Sequence, residues 1–114
     1  MSTNIYDTAN QLERDLRETE AYVALKAAYE AVKANPESND MFKEFQGIQI
    51  KLQQKQMSGE EILEEEIKEA QEMALKSGDN AIIKDLMEAE QKLSTLIDDL
   101  NRIIMKPVQD IYQG

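Results

Sequence analysis

Apolar residues recur three and four positions apart along most of the chain, which is the spacing of one face of an α-helix. The first stripe covers residues 5–16, directly after the potential capping residues Ser2-Thr3-Asn4. Its phase jumps at Glu18-Thr19-Glu20, which predicts a turn with Thr19 as the cap of a second helix. That helix carries an apolar face over residues 22–32. It is expected to end at Asn35-Pro36, because a residue before proline is pushed out of the helical region.

Two further stripes predict the third and fourth helices. Ser38-Asn39 can open the third, and Gly47 inside it indicates a close contact with another helix. Ser58-Gly59-Glu60-Glu61 has the spacing of a capping box, in which serine caps the helix and a glutamate three residues on reaches back. The fourth helix is predicted to end at Gly78 in the left-handed conformation. The residues predicted to face inward are Met41, Phe42, Phe45, Ile48 and Leu52 on the third helix and Leu63, Ile67, Ala70 and Ala74 on the fourth.

The longest stripe predicts a fifth helix over residues 80–106, capped by Asp79 or Asn80 and broken or kinked at Pro107. Such a helix would be roughly 40 Å long, whereas a compact globule of this chain length has a diameter on the order of 35 Å. A second copy of the chain is the simplest cover for the far end, so the sequence predicts a homodimer, with an elongated monomeric bundle as the alternative. The residues predicted to form this shared core are Ile82, Leu86, Leu93, Leu96, Ile97, Leu100, Ile103 and Ile104.

Composition favours an all-α fold. The 114 residues include two prolines and four glycines, and aromatic residues make up only 5%. Strands favour β-branched and aromatic residues and hairpins need turn-forming residues, so this composition is typical of helices. We therefore predict a single all-helical domain over residues 1–114. Its architecture is expected to be an elongated, dimeric bundle of about five helices with a long C-terminal helix.

The residue types that usually carry chemistry are scarce. The chain has no cysteine and no histidine, which excludes disulfides, zinc-thiolate sites and iron–sulfur ligation and removes the commonest general base. The acidic run "GEEILEEEIKEAQE" lacks Glu-x-x-His pairs, and "SGDNAIIKDLME" lacks the EF-hand pattern. No catalytic residue, metal site or cofactor is predicted, and the chain is expected not to be an enzyme. The alternative, an enzyme that uses carboxylates, lysine and tyrosine alone, would need a concave pocket with perturbed carboxylates.

Negative charge is concentrated in one segment. The net charge is −10, and residues 58–79 contribute 8 acidic and 2 basic side chains. No basic stripe is present to contact a phosphate backbone, so no nucleic-acid partner is expected. The sequence has no stretch of 18 apolar residues and no signal-peptide pattern, so a cytoplasmic protein without a membrane partner is expected.

Two polar faces are candidates for contact with an unidentified protein partner. The acidic residues near the start of the fourth helix form either a solvated face or a docking site for a basic partner. Gln49 and Gln56 share a helical face with apolar residues, where a polar side chain either fixes the register of helix packing or contacts a partner. The candidate partner face consists of Glu61, Glu64, Glu65, Glu69, Gln49 and Gln56.

Three motifs together resemble the YlbF/YmcA-like family of small helical bacterial proteins. They are Phe42-x-x-Phe45-x-x-x-Gln49-x-x-Leu52-x-x-x-Gln56-x-x-Gly59, the run "ETEAYVALKAAYEAV", and the final helix with Leu86, Ala89, Glu90, Leu93 and Ile97. The likeness covers nearly the whole chain, and it is closest to the YheA-like branch of the family.

The resemblance implies a non-enzymatic adaptor or regulatory protein. The best-understood members of the family act through protein–protein contacts. They form a complex with a third protein that modulates an endoribonuclease and affects RNA maturation, competence, sporulation and biofilm formation. Iron–sulfur ligation attributed to that complex needs cysteines, which this chain lacks. The alternative is a secreted or structural helical-hairpin protein. Proteins of that kind carry a Trp-x-Gly turn, whereas this chain has Phe45-Gln46-Gly47 inside a predicted helix.

Overall fold

The computed structural model describes residues 4–114, and that range contains five α-helices and no strand. The predicted all-α class and the number of helices are therefore confirmed. The proposed capping residues Ser2 and Thr3 lie outside the described residues. The helices are α1 (Ile5–Arg17), α2 (Glu20–Ala34), α3 (Pro36–Ser58), α4 (Glu64–Asp79) and α5 (Ala81–Gln113).

The described chain forms two compact units. One unit consists of Ala28–Met87, and the other combines the residues up to Ala27 with Glu88–Gly114. Helices α2 and α5 each contribute to both units. The single domain expected from the sequence stays a prediction.

Side chains of asparagine and threonine cap four of the helices, and three of these caps, Asn4, Thr19 and Asn80, are predicted from the sequence. The carboxamide oxygen of Asn4 accepts hydrogen bonds from the backbone N–H groups of Tyr6 and Asp7 at 3.1 and 3.4 Å. The Thr19 hydroxyl accepts one from the N–H of Tyr22 at 3.2 Å. Each cap satisfies amides that have no carbonyl partner in the first turn, which fixes where the helix begins.

Asn80 caps α5 and also connects it to α3. Its Oδ1 accepts hydrogen bonds from the N–H groups of Ile82 and Ile83 at 3.0 and 3.1 Å. Its Nδ2 donates to Ser38 Oγ at 3.0 Å, although Ser38 lies 42 positions earlier in the chain. One side chain therefore sets the start of α5 and holds it against the first turn of α3.

The turn between α2 and α3 is tighter than predicted. Helix α3 begins at Pro36, with Asn35 as its cap accepting from the N–H of Ser38 at 2.9 Å, and not at Ser38-Asn39. Proline is suited to the first helical position, because its missing N–H would have had no intrahelical partner there. Ser38 is thus not the cap of α3 but a buried residue of its first turn.

The connection between α3 and α4 also differs from the prediction. Ser58 ends α3, and Gly59 adopts the left-handed conformation with φ of 74°. Helix α4 starts five residues later, where the Glu66 carboxylate accepts a hydrogen bond from the N–H of Leu63 at 3.1 Å. The capping box predicted at Ser58 and Glu61 is thus wrong, because a left-handed glycine ends the earlier helix at that point.

Gly47 and Gly78 lie within helices and do not have their predicted roles. Gly78 lies within α4, and Gly59 is the one glycine with a positive φ among the described residues. A Cβ added at Gly47 would meet no atom within 4 Å, so the predicted close helix contact is absent there.

Pro107 does not break the last helix. Helix α5 is continuous over 33 residues, which corresponds to roughly 50 Å. Proline removes the hydrogen bond to the carbonyl four residues earlier. Residues 101–114 are all exposed, so water can reach that carbonyl and the helix continues.

The core of the Ala28–Met87 unit is small and partly polar. Its buried apolar side chains are Val32, Met73, Ile83 and Leu86. The buried face of α4 consists of Glu66, Met73 and Ser77 and not the predicted Leu63 and Ile67, which are 53% and 45% exposed. The face of α4 that meets the core is therefore rotated from the predicted one.

Aromatic contacts connect α2 to α3 in the same unit. The rings of Tyr29 and Phe42 meet edge to face with centroids 6.3 Å apart. Lys33 Nζ lies 5.1 Å from the centroid of the Tyr29 ring. Such pairs contribute on the order of 1 kcal/mol each, which suits a junction with few buried side chains.

Replacing Asn80 with alanine is expected to lower the free energy of unfolding by about 1 to 2 kcal/mol, because it removes the cap of α5 and the partner of Ser38. Ser77→Ala is the matched control. The Ser77 hydroxyl is buried and has no hydrogen-bond partner among residues 4–114, so its removal should change stability by less than about 0.5 kcal/mol. Urea denaturation followed by circular dichroism measures both. Equal losses in the two variants would contradict the role assigned to Asn80.

Candidate functional site

Helices α3 and α4 form an antiparallel hairpin. At the connection, Lys55 Nζ contacts Glu66 Oε1 at 2.5 Å. At the far end, Ser38 near the start of α3 contacts Asn80 just after α4. Contacts that pair the start of one helix with the end of the other require antiparallel axes, and they fix both ends of the hairpin.

A groove of about 600 Å³ lies between the two helices. Leu52 lines it from α3, and the remaining apolar lining is formed by Ile62, Ile67, Ala70 and Ala74. The alanines on α4 are the reason for the groove, because their short side chains leave the space between the helices unfilled.

Glutamines provide the polar lining. They are Gln49, Gln53 and Gln56 on α3 and Gln71 on α4. The three on α3 lie at positions i, i+4 and i+7, so they share one face of the helix. No charged residue lines the groove, although charged residues make up 32% of the chain. The groove is therefore the uncharged part of a strongly acidic hairpin.

The predicted glutamine pair is thus brought to one place. Gln49 and Gln56 both line the groove, and both are exposed. The sequence places them on one helical face with Phe42, Phe45 and Leu52. Of these three apolar residues Leu52 lines the groove, and Phe42 and Phe45 do not. Gln71 and Ile62 were missed, because the register between α3 and α4 depends on the connection at residues 59–63. Gln53 was also missed, although its position four residues after Gln49 places it on the same face of α3.

The predicted acidic residues divide between two sides of the hairpin. Glu61, Glu64 and Glu65 are exposed and adjoin Ile62 in sequence, so they lie at the connection end of the groove. Glu69 instead lines a separate, smaller cavity of about 170 Å³, together with Lys51 and Glu66. We define the acidic rim as the exposed carboxylates around Ile62, which are Glu60, Glu61, Glu64 and Glu65.

Glu66 holds the connection end of the hairpin together. Its Oε1 accepts hydrogen bonds from Lys55 Nζ at 2.5 Å and from the N–H of Leu63 at 3.1 Å. Its Oε2 lies 3.9 Å from Lys51 Nζ. The hydrogen bond from Lys55, with that from Leu63, holds the pKa of the Glu66 carboxyl below its usual value. The sequence signal for this cluster is the i, i+4 pair Lys51 and Lys55, which faces the first turn of α4.

Other large apolar side chains are exposed on the two helices of the hairpin. Ile50 and Met57 on α3 are 53% and 83% exposed, and Leu75 on α4 is 72% exposed. Where exposed apolar side chains form a contiguous patch, they mark a surface that contacts other molecules.

The predicted apolar stripe on α5 is buried near Leu86 and exposed near Ile103 and Ile104. Leu86 is buried, and Ile82, Leu93, Leu96 and Leu100 are half-buried. The remaining members of the stripe are exposed, namely Ile97, Ile103 and Ile104. The assignment of the stripe to a core shared by two chains stays a prediction.

No helix in the stretch from residue 4 to residue 114 has the combination of length and apolar character that crossing a bilayer requires. Over the same range, no group of three acidic side chains converges in the geometry of a metal site.

Comparison with known proteins gives consistent matches over the whole chain. The family model described as "Control of competence regulator ComK, YlbF/YmcA" matches residues 5–109. A UPF0342 protein of Lactiplantibacillus plantarum is 50% identical over 114 residues, covering 100% of both chains. One from Staphylococcus saprophyticus is 51% identical over 112 residues, covering 98% of each.

Two solved structures share the fold. A protein of unknown function (DUF964) from Bacillus stearothermophilus has a TM-score of 0.91 at 34% identity, covering 98% of each chain. The yheA protein from Bacillus subtilis has a TM-score of 0.76 at 34% identity, covering 96% of this chain and 100% of that one. These matches confirm the predicted resemblance, including the YheA-like branch.

Glu66→Gln is expected to weaken the pH dependence of stability in acid. Because the pKa of Glu66 is lower in the folded state, its contribution is fully present above the unfolded value of about 4.3. That contribution is lost as the pH falls through the folded value. The wild type should therefore lose more unfolding free energy than Glu66→Gln between about pH 7 and pH 3. Urea titrations across this range measure the difference.

Glu72→Gln, which changes an exposed acid of the same helix, is the matched control and should keep the wild-type slope. Identical slopes in the wild type and Glu66→Gln would show that the contacts of Glu66 do not stabilise the hairpin.

Proposed function

The chain belongs to the YlbF/YmcA family of control-of-competence regulators, and from this premise we propose that it is a non-enzymatic regulatory adaptor. It acts in the cytoplasm, through contacts with other proteins. The observation that carries this proposal is the uncovered apolar surface, which is concentrated at the α3–α4 hairpin and at the end of α5.

The family description supports a regulatory role. It names control of the competence regulator ComK, and the resemblance associates its better-known members with RNA processing and development. We propose that this chain contributes to a process of that class. Two supporting features are an uncharged groove suited to another protein surface and a chain without cysteine or histidine.

The α5 end, which we define as residues 101–113, is proposed to bind a second copy of the chain. Every residue in this segment is exposed. Its large apolar members are Ile103, Ile104, Met105, Val108, Ile111 and Tyr112. A second copy presents the same surface, and a two-fold interface between identical apolar faces is the commonest form of self-association.

Charge favours this location for the contact between two copies. The chain carries −10 overall, so two copies repel each other over most of their surface. The α5 end carries two basic residues, Arg102 and Lys106, and one acidic residue, Asp110. Its local charge is only +1, so the concentrated negative charge of the chain lies outside this contact and the two apolar faces can meet there.

Introducing glutamate at Ile104 and Ile111 is expected to dissociate the proposed dimer, because both positions lie on one face of the α5 end and the charges would be desolvated. Sedimentation equilibrium at micromolar concentration should give the mass of two chains for the wild type and of one chain for Ile104→Glu/Ile111→Glu. The control Asn10→Glu/Gln54→Glu adds the same charges at exposed polar positions outside the α5 end and should retain the wild-type mass. A monomeric wild type would refute the dimer.

Affinity capture of the tagged protein from its native cells is expected to recover a specific protein besides the chain itself. The test variant replaces the four acidic-rim residues with glutamine. Its matched control changes four exposed acids elsewhere to their amides, at Glu18, Glu30, Asp85 and Asp98. The captured protein should be depleted by the rim changes and retained by the control. Recovery of the chain alone would contradict the adaptor proposal, whereas equal recovery from both variants would assign the contact to another surface.

A further inference from the structure

We propose that the α3–α4 groove binds a single amphipathic helix of a partner protein, and that the polar face of this helix is rich in lysine and arginine. The inference deepens the proposed function and rests on it, because it names the chemistry of the partner that an adaptor of this shape recognises. It commits to one surface and one kind of guest.

The dimensions of the groove match a short helical segment. On α3 its lining runs from Gln49 to Gln56, and on α4 from Ile67 to Ala74. Seven steps along a helix rise roughly 10 Å, or about two turns. A guest helix crossing this length presents apolar side chains at positions such as i, i+3, i+4 and i+7, which is the usual pattern of helix-in-groove recognition.

The chemistry of the lining favours an apolar guest face. The floor consists of leucine, isoleucine and alanine side chains, whose coverage by apolar groups is favourable at roughly 25 cal/mol per Å². The glutamine amides along the walls both donate and accept hydrogen bonds. They can therefore satisfy hydroxyl, amide or ammonium groups at the edge of the guest without imposing a charge.

The charge around the groove selects the polar face of the guest. Residues 58–79 carry 8 acidic and 2 basic side chains, and the acidic rim lies at the end of the groove marked by Ile62. The rim would repel a guest helix with an acidic polar face. A guest helix with lysine and arginine on its polar face is complementary in charge to the rim, which speeds association and favours this partner over others. Glu66 does not line this groove but the separate, smaller cavity, and its Oε1 is engaged by Lys55 and the N–H of Leu63.

A second copy of the chain fits the groove less well. The α5 end is apolar and helical, but it carries a net charge of only +1, so it gains little from an acidic rim. In the proposed dimer the α5 end is also covered by its own symmetry mate.

Three synthetic peptides of about 18 residues test the proposal on the full-length protein. The first has leucines on one helical face and lysines on the other. The second replaces every lysine with glutamate, and the third contains the residues of the first in an order that abolishes the amphipathic face. Fluorescence anisotropy should show binding of the first at least about tenfold tighter than either of the others, which corresponds to about 1.4 kcal/mol. Amide NMR signals of Ile62, Ile67 and Ala70 should shift on binding.

Two pairs of variants locate the binding site. Ala74→Lys places bulk and positive charge in the groove, and Ala24→Lys makes the same change at an exposed position on α2. Gln53→Lys and Gln46→Lys form a second pair on α3, in which both positions are exposed and only Gln53 lines the groove. Each groove variant should weaken binding of the lysine peptide at least about tenfold, and each control less than about twofold. The second pair keeps the test valid if Ala74→Lys does not fold.

The rim variant used for affinity capture should reduce the affinity for the lysine peptide and flatten its dependence on salt, because exposed charge pairs are screened by ions. Binding that is insensitive to both groove variants would overturn the proposal, as would equal binding of the lysine and glutamate peptides. A change in the mass of the protein itself on Ala74→Lys would assign the groove to a second copy and would also overturn it. If these peptide results fail while affinity capture still recovers a partner, the adaptor function stands and only the groove assignment falls.

Discussion

The α3–α4 hairpin depends on two polar contacts, one at each end. Glu66 joins Lys55 to the N–H of Leu63 at the connection, and Asn80 joins Ser38 to the first turn of α5 at the other end. Between them the helices meet through alanines, glutamines and few large apolar side chains. Hydrogen bonds specify geometry more sharply than apolar contacts do, because they need particular distances and angles. A hairpin fixed at its ends by such bonds can keep an unfilled groove in its middle without collapsing around it.

Much of the fold could be predicted from the sequence because side chains such as Asn4, Thr19 and Asn80 act locally as helix caps. The failures have a common physical origin in competition between local signals. Gly59 ends α3 in the left-handed conformation, where the sequence predicts a capping box at Ser58. Helix α2 ends before Asn35-Pro36 as predicted, but Pro36 begins α3 at once, two residues before the predicted start at Ser38-Asn39. The buried face of α4 carries Glu66, Met73 and Ser77 in place of the predicted residues, and Ile67 instead lines the groove.

The candidate site could be predicted only in part, because some of its residues are brought together by the packing of α4 against α3. Spacing along one helix placed Gln49 and Gln56 together, and this required no tertiary information. The contributions of Gln71 and Ile62 depend on the register of α4 against α3, which the five-residue connection sets and helical periodicity does not encode. Glu66 shows the limit most clearly. In the sequence it is one of several similar glutamates, and only the positions of Lys51 and Lys55 on the facing helix distinguish it.

The proline inside α5 has a consequence for hydration. Pro107 has no N–H, so the carbonyl of Ile103 lacks its usual donor within the helix. In an exposed segment water supplies the missing hydrogen bond. A surface that covers the α5 end would remove that water, and an unpaired buried carbonyl is energetically costly. Any stable interface there therefore either leaves a wet channel beside Ile103 or brings its own donor to that point, so a purely apolar seam along the whole segment is disfavoured.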